Sequence, residues 1–406
     1  MRSSDFIRTS APWLGAGALL TFLSSFGQTF FISVFAGEIR TEFGLTHGAW
    51  GGIYSLGTMV SAGIMVWAGT LTDRFRIRSL GIGILAMLAL AAAFMALNPY
   101  VALLPLAILG LRFTGQGMMS HMAAVAMARW FVASRGRALA IAALGFSVGE
   151  AILPLMFVGL LAVFDWRDLW LAIALVTLAF IPLLMALLRT ERTPAQIAQS
   201  QSVAGMNGAH WRRGDAVRHR LFWLMIPALL GPSSFVTAFF FHQVYFSEIK
   251  AITHLSLTAL FPVFTGFGLG AMIISGWALD KWGTGRLLPF SQIPMVVAFL
   301  LFASSDGIWG VGLGLVFMGI SAGANTTLPT AFWAEFYGTR HIGAIKSLAV
   351  AIMVLGSAIG PGLIGGLIDL GIGLEVQYVG AALFFVLTTA CMFIGVRPAQ
   401  RQLSGP

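Results

Sequence analysis

The chain alternates long apolar runs with short polar turns, and this alternation constrains its fold more than any single motif does. With a window of about 20 residues, the length that crosses a hydrocarbon core as a helix, twelve runs emerge. They lie near 12–36, 49–70, 79–97, 101–127, 138–163, 168–188, 221–246, 255–278, 287–305, 308–332, 344–368 and 377–396. They do not alternate residue by residue as barrel strands do, and in lipid a backbone must satisfy its polar groups within its own segment. The expectation is an all-α membrane protein with twelve transmembrane helices. Composition agrees: of 406 residues, 58% are hydrophobic and 10% charged, too little polar surface to clothe a soluble globule. The first run is too long for a signal-peptide core and lacks a small-residue cleavage site, so it is read as the first helix of the mature protein.

The basic residues give orientation. With the N-terminus in the cytoplasm, the Lys and Arg residues cluster in the cytoplasmic turns. Only Arg40, Arg167 and Lys250 fall on the other side, and Arg112 falls inside a run. This predicts that both termini are cytoplasmic. The net charge of +9 is then a topology signal in contact with membrane lipid, not a sign of nucleic-acid binding. The single cysteine, Cys391, excludes an intrachain disulfide, and no metal-ligand spacing is present. No nucleophile–base set, catalytic carboxylate pair or phosphate-binding loop is visible. No enzyme activity, cofactor or direct use of ATP is therefore expected. Residues 189–220, rich in Gln, Ser, Gly and Arg, read as a solvated cytoplasmic linker with short amphipathic helical pieces. This linker divides an N-terminal bundle, 1–188, from a C-terminal one, 221–406.

The two bundles are copies. Gly69 and Asp73 recur 207 residues later as Gly276 and Asp280, and the same offset carries Gly149 to Gly356, Pro154 to Pro361 and Gly159 to Gly366. Six spans per copy preserve orientation, so the repeats are expected to be parallel and pseudo-symmetric about an axis along the membrane normal.

Several stretches then resemble the major facilitator superfamily (MFS) over the whole chain. Gly69, Leu71, Asp73, Arg74 and Arg78 match its signature between the second and third helices, repeated less completely by Gly276, Asp280 and Lys281. Arg112 with Gly115-Gln116-Gly117 resembles its fourth-helix motif, and Trp130-Phe131 with Arg135-Gly136-Arg137-Ala138 its next cytoplasmic turn. Gly356-Ser357-Ala358-Ile359-Gly360-Pro361 has the form of its gating helices. The resemblance implies the MFS fold, a secondary transporter working by alternating access as a monomer, and a bacterial inner-membrane location. It also places Asp73 as a latch beside the start of the eleventh helix, near His341 and Lys346, where helix amides carry partial positive charge. Asp280 would face the start of the fifth helix near Arg135 in the same way. Gly149, Pro154, Gly360 and Pro361 are the expected gating joints, because small residues permit close approach and proline removes a helix hydrogen bond. Static packing explains the same residues, and topology alone explains Arg76.

Ionisable residues inside a span are costly and face a partner or a cavity. Arg112 and Glu150 lie near the middle of the fourth and fifth runs. Either they pair structurally, or Arg112 meets an anionic substrate through its planar fork while Glu150 takes a proton. The family fold lines its cavity with the first, fourth, seventh and tenth helices. That adds Gln28 and Thr29, Gln116 and His121, then His242, Gln243 and Tyr245, then Asn325, Thr326 and Thr327. His242, towards the outer end of its helix, is either interfacial or a proton-coupling group. The pattern further resembles the monocarboxylate and oxalate carrier branch, which implies proton-coupled transport of small organic acids. Those carriers place a basic residue in the eighth helix, and 255–278 has none. The alternative is a proton-antiport exporter of drugs or hydrophobic metabolites, although such exporters carry Gly-xxx-Gly-Pro in the fifth helix and here Glu150 follows Gly149.

Overall fold

A computed structural model describes residues 3–131, 135–190, 204–338 and 340–403. Among them no strand occurs. The chain divides into two compact units, Met1–Gln199 and Ser200–Pro406.

In the first unit, α1 (Ser3–Ser24) gives way to a 3-10 turn, Ser25–Gly27, then α2 (Thr29–Ile32), a second turn, Ser33–Phe35, and α3 (Ala36–Phe43). There follow α4 (His47–Ala68), the short α5 (Leu71–Arg74) and α6 (Ile77–Leu97). Next come α7 (Leu104–Leu111), a π-helical stretch Arg112–Met119, α8 (Ser120–Trp130), α9 (Arg135–Leu161) and α10 (Trp166–Leu187). The second unit contains α11 (Arg213–Arg218), α12 (Arg220–Phe241), α13 (Gln243–Ile249) and α14 (His254–Thr258). It continues with α15 (Phe261–Trp282), α16 (Thr284–Leu287), α17 (Ile293–Ser304), α18 (Gly307–Tyr337), α19 (Ile342–Asp369) and α20 (Leu374–Arg401).

Eleven described helices are long and apolar enough to cross a membrane, and the bent pair Thr9–Gly27 and Thr29–Phe43 makes a twelfth. The first span thus departs from the single helix expected over 12–36: it bends by 48° at its break. The polar and glycine positions from Ser24 to Thr29 permit the break. They offer the backbone local alternatives to the helix ladder and little side-chain bulk to hold it.

The linker expectation covers 189–220, of which 191–203 lie outside the described residues. Beyond them most of the segment is exposed and holds one short α-helix, Arg213–Arg218, but it is anchored at two points. Met206 is fully buried in a core cluster with Phe336 and Tyr337, and Trp211 N donates to Tyr337 O at 3.2 Å.

The duplication is visible in packing inside each unit. In the first, α1 packs on α9, α6 on α10 and α4 on α7; in the second, α12 packs on α19, α17 on α20 and α15 on α18. Small residues allow the first of these contacts in both units. A Cβ on Gly149 would strike Ser25 Oγ, and one on Gly360 would strike the carbonyl of Ser234. Gly159 and Gly366, which recur at the same 207 offset, face open space. Pro154 and Pro361 sit inside α9 and α19 without ending them.

Each unit also ties the end of its first span to the start of its sixth. Arg167 Nη2 meets Glu42 Oε1 at 2.6 Å, Trp166 Nε1 donates to Glu42 Oε2 at 2.7 Å, and Arg167 caps the carbonyls of Ala96 in the last turn of α6 and of Asn98 just past it. In the second unit, Lys250 Nζ meets Glu375 Oε1 at 2.9 Å and Asp306 Oδ1 at 3.6 Å. Lys250 lies 208 residues after Glu42, and Glu375 lies 208 after Arg167. The two ties occupy matching positions with their charges exchanged.

Overpacking a tight contact costs about 1–3 kcal/mol. Gly149→Leu and Gly360→Leu are therefore expected to lower the unfolding midpoint in detergent by several degrees. Gly159→Leu and Gly366→Leu should leave it within a degree or two.

Candidate functional site

The break in the first span and the π-helical stretch meet face to face. A Cβ on Gly27 would lie 2.7 Å from Gly115 Cα, and one on Gly115 would lie 2.6 Å from Gly27 Cα, so only glycine at both positions permits this approach. In a continuous helix Phe31 N would bond the carbonyl of Gly27. It bonds Gln28 O instead, at 3.2 Å, and the freed carbonyl must find another donor.

Arg112, the first residue of the π-helical stretch, supplies one. Its Nη1 donates to Gly27 O at 3.2 Å and to Thr29 Oγ1 at 3.3 Å. Its guanidinium carbon lies 5.3 Å from the centre of the Tyr54 ring, within range of a cation–π contact. The Tyr54 hydroxyl and Thr29 Oγ1 are 2.5 Å apart. Arg112 is only 1% exposed, yet its Nε and Nη2 have no hydrogen-bond partner among the described residues. These two nitrogens form one edge of the guanidinium fork, the edge that grips a carboxylate with two parallel bonds. π-Helical stretches inside α-helices recur at functional sites, and here one delivers a cation beside a broken span.

Gln28, buried at the break, and Gln116, half-buried on the π-helical stretch, flank this cluster in sequence. Glu150 is half-buried on α9 and follows Gly149, which packs on Ser25 at the break. The bonds of Arg112 go to Gly27 and Thr29, not to Glu150, so the structural ion pair is not formed. His121 is drawn elsewhere: its Nε2 donates to Gly69 O at 3.2 Å. Arg129 Nη1 donates to Thr72 O at 2.5 Å. Together they hold the signature turn against α8. The backbone of Asp73 belongs to α5, Arg74 is exposed and Arg78 half-exposed, while the side chain of Asp73 lies outside the described residues.

In the second unit, Asn325 lines an open cavity of about 450 Å³ walled by α12, α17, α18 and α19. Its polar lining includes Ser233, Thr237, Thr326 and Lys346, with Trp333 and otherwise apolar walls. Asn325 Nδ2 is buried with no hydrogen-bond partner among the described residues. His242 and Tyr245 are not part of this lining. His242 is 3% exposed, not interfacial, and donates from Nε2 to Pro361 O at 3.1 Å, tying the end of α12 to α19. Asp280 is exposed, and Lys281 stands 5.4 Å from the ring centres of both Trp277 and Trp282.

Residues 17–361 match the family model of the Major Facilitator Superfamily. The chain belongs to that superfamily. It is a multi-pass membrane transporter. A bacterial homolog of the human lysosomal transporter Spinster, solved inward-facing and unoccupied, matches at a TM-score of 0.71 and 16% identity, covering 97% of this chain and 98% of that one. The nucleoside transporter NupG matches at 0.70 and 13%, covering 95% and 99%. At such identities the likeness is one of fold. These neighbours are not specifically carriers of the monocarboxylate and oxalate branch that the sequence pattern resembles. No curated protein matches the sequence.

Tyr54, Ser233, Thr237 and Trp333 were not among the residues singled out in the sequence of this MFS transporter, and Lys346 was read only as part of a helix start. A hydroxyl such as that of Tyr54 inside an apolar span was the available signal. Tyr54→Phe removes a buried hydrogen bond worth about 1 kcal/mol and is expected to lower the unfolding midpoint by a few degrees, read by thermal unfolding in detergent.

Proposed function

We propose that this MFS transporter carries small organic acids of the monocarboxylate kind together with protons, by alternating access, across a bacterial inner membrane with both termini in the cytoplasm. The observation that supports the reading is the unpaired fork edge of Arg112. A cation placed in a span costs about 2.5–3.5 kcal/mol on insertion scales, and each buried donor left unsatisfied costs about 1–3 kcal/mol more. A carboxylate seated on Nε and Nη2 would satisfy both donors and neutralise the charge. Nη1, held by Gly27 O and Thr29 Oγ1, keeps the fork aimed.

Glu150 supplies the protonatable group in the same unit. Its turn of α9 rests on the broken part of the first span, so a change in its charge is felt where Gly27 and Arg112 meet. Within the second unit taken by itself, Asn325 and the hydroxyls around the 450 Å³ cavity offer hydrogen bonds to an organic acid, and the apolar walls suit its hydrocarbon part. Asp73 acts as a latch in the conformational exchange, with Gly69, Arg74, Arg78, Asp280 and Lys281 shaping the two signature turns. His242 takes part in proton coupling through its bond to Pro361.

Reconstituted in liposomes, the protein is expected to accumulate labelled lactate, pyruvate or acetate when a proton gradient is imposed. Arg112→Lys keeps the charge and a donor for Gly27 O but removes the two-pronged grip, and should raise the KM about tenfold or more in a protein that still folds. Failure to accumulate any of these acids under either gradient direction overturns the reading, and exchange of lipophilic cations for protons would establish the exporter alternative in its place.

A further inference from the structure

A second cavity, of about 250 Å³, lies in the first unit between the start of α6 and the end of α10. Arg76, Arg78 and Ser79 line it from α6, and Arg189 lines it from just past α10. None of the three guanidinium groups has a hydrogen-bond or ion-pair partner among the described residues. Three like charges around so small a volume repel one another, and no acidic residue is among the described residues that line the groove.

The helix ends add to the imbalance. Arg76 is the N-cap of α6 and makes no side-chain cap, and the first turn holds no acidic residue. The amides there carry partial positive charge and would ordinarily attract an anion. Arg189 suits the carbonyl end of α10, but Arg76 and Arg78 stand at the end of α6 where cations are disfavoured. The groove is therefore an anion site assembled from two helices. Arginine forks of this kind are fitted to phosphate oxygens.

The remaining lining decides which anion. Ile82, Met185 and Leu188 form an apolar floor beneath the arginines. Exposed apolar side chains continue away from it along both helices, Met87 and Leu90 on α6 and Leu183, Leu178 and Leu175 on α10. A free phosphate has no use for such a surface. A phosphodiester with acyl chains fits both parts: charge at the mouth, hydrocarbon along the spans.

We propose that this groove binds the headgroup of an anionic phospholipid, with phosphate held by Arg76, Arg78 and Arg189 and the chains laid along α6 and α10. The test uses the full chain, delipidated in detergent, with phosphatidylglycerol, phosphatidylcholine or inorganic phosphate added. Native mass spectrometry should show retention of phosphatidylglycerol at least tenfold above phosphatidylcholine, and that lipid should raise the unfolding midpoint by several degrees. Each of Arg76→Gln, Arg78→Gln and Arg189→Gln is expected to weaken retention about fivefold, whereas Arg286→Gln, an exposed arginine in the second unit, should not. Equal retention of the two lipids, or unchanged retention in all three single variants, overturns the proposal. The same stabilisation from inorganic phosphate alone would also overturn it, by showing a simple anion site.

Discussion

The hydrogen bond from Arg112 to the carbonyl of Gly27 is the contact on which the first unit depends. In a membrane a carbonyl released from a helix has no water to turn to, so a span can break only where the protein supplies a donor. Arg112 does so from a neighbouring helix. The approach requires glycine at 27 and 115, and the π-helical stretch brings the side chain to the right level. Thr29 and Tyr54 complete the shell around one side of the guanidinium. The other side is left with donors and no acceptors. One residue thus has a structural half and an open half, and the open half is the part with chemistry to offer. This differs from a buried ion pair, where both charges are consumed in holding the fold.

What could be read in the sequence follows from how local each signal is. The spans were legible because an apolar run of about 20 residues is its own evidence of a membrane helix, and the 207 offset was legible because glycine, proline and aspartate kept their identity in both copies. Arg112 stood out as a charge where charge is costly. The break at Ser25–Gln28 was not legible: the same polar residues are compatible with an intact helix, and only the contact with Gly115 shows why the helix yields. Tyr54 escaped notice because its place beside the site shows only in its contacts with Thr29 and Arg112, both distant in sequence. Gly159 and Gly366 err in the opposite direction. They recur as faithfully as Gly149 and Gly356, yet nothing approaches them, so recurrence alone does not identify a packing contact. His242 and His121 illustrate a third limit. Each was legible as a polar group in or near a span, but a backbone carbonyl, at Pro361 and Gly69, claims a ring nitrogen of each.

The ties at the far ends of the spans show how a duplicated chain hides its own symmetry. Arg167 and Lys250 read in sequence only as exceptions to the distribution of basic residues. In the structure, both fasten the end of a unit's first span to the start of its sixth, Arg167 to Glu42 and Lys250 to Glu375. A pair of opposite charges works equally well in either order, so the two copies were free to exchange signs as long as both members changed together. A search for matching residues cannot find such a pair, because acid faces base at each position and the offset has moved from 207 to 208. The consequence for the first span is specific. In the first unit the tie holds the α3 end of the first span, and the Gly149 contact holds the turn at Ser25. The extended Gln28 and the short helix α2 lie between these two fixed points, buried throughout, and Arg112 is bonded there at Gly27 and Thr29.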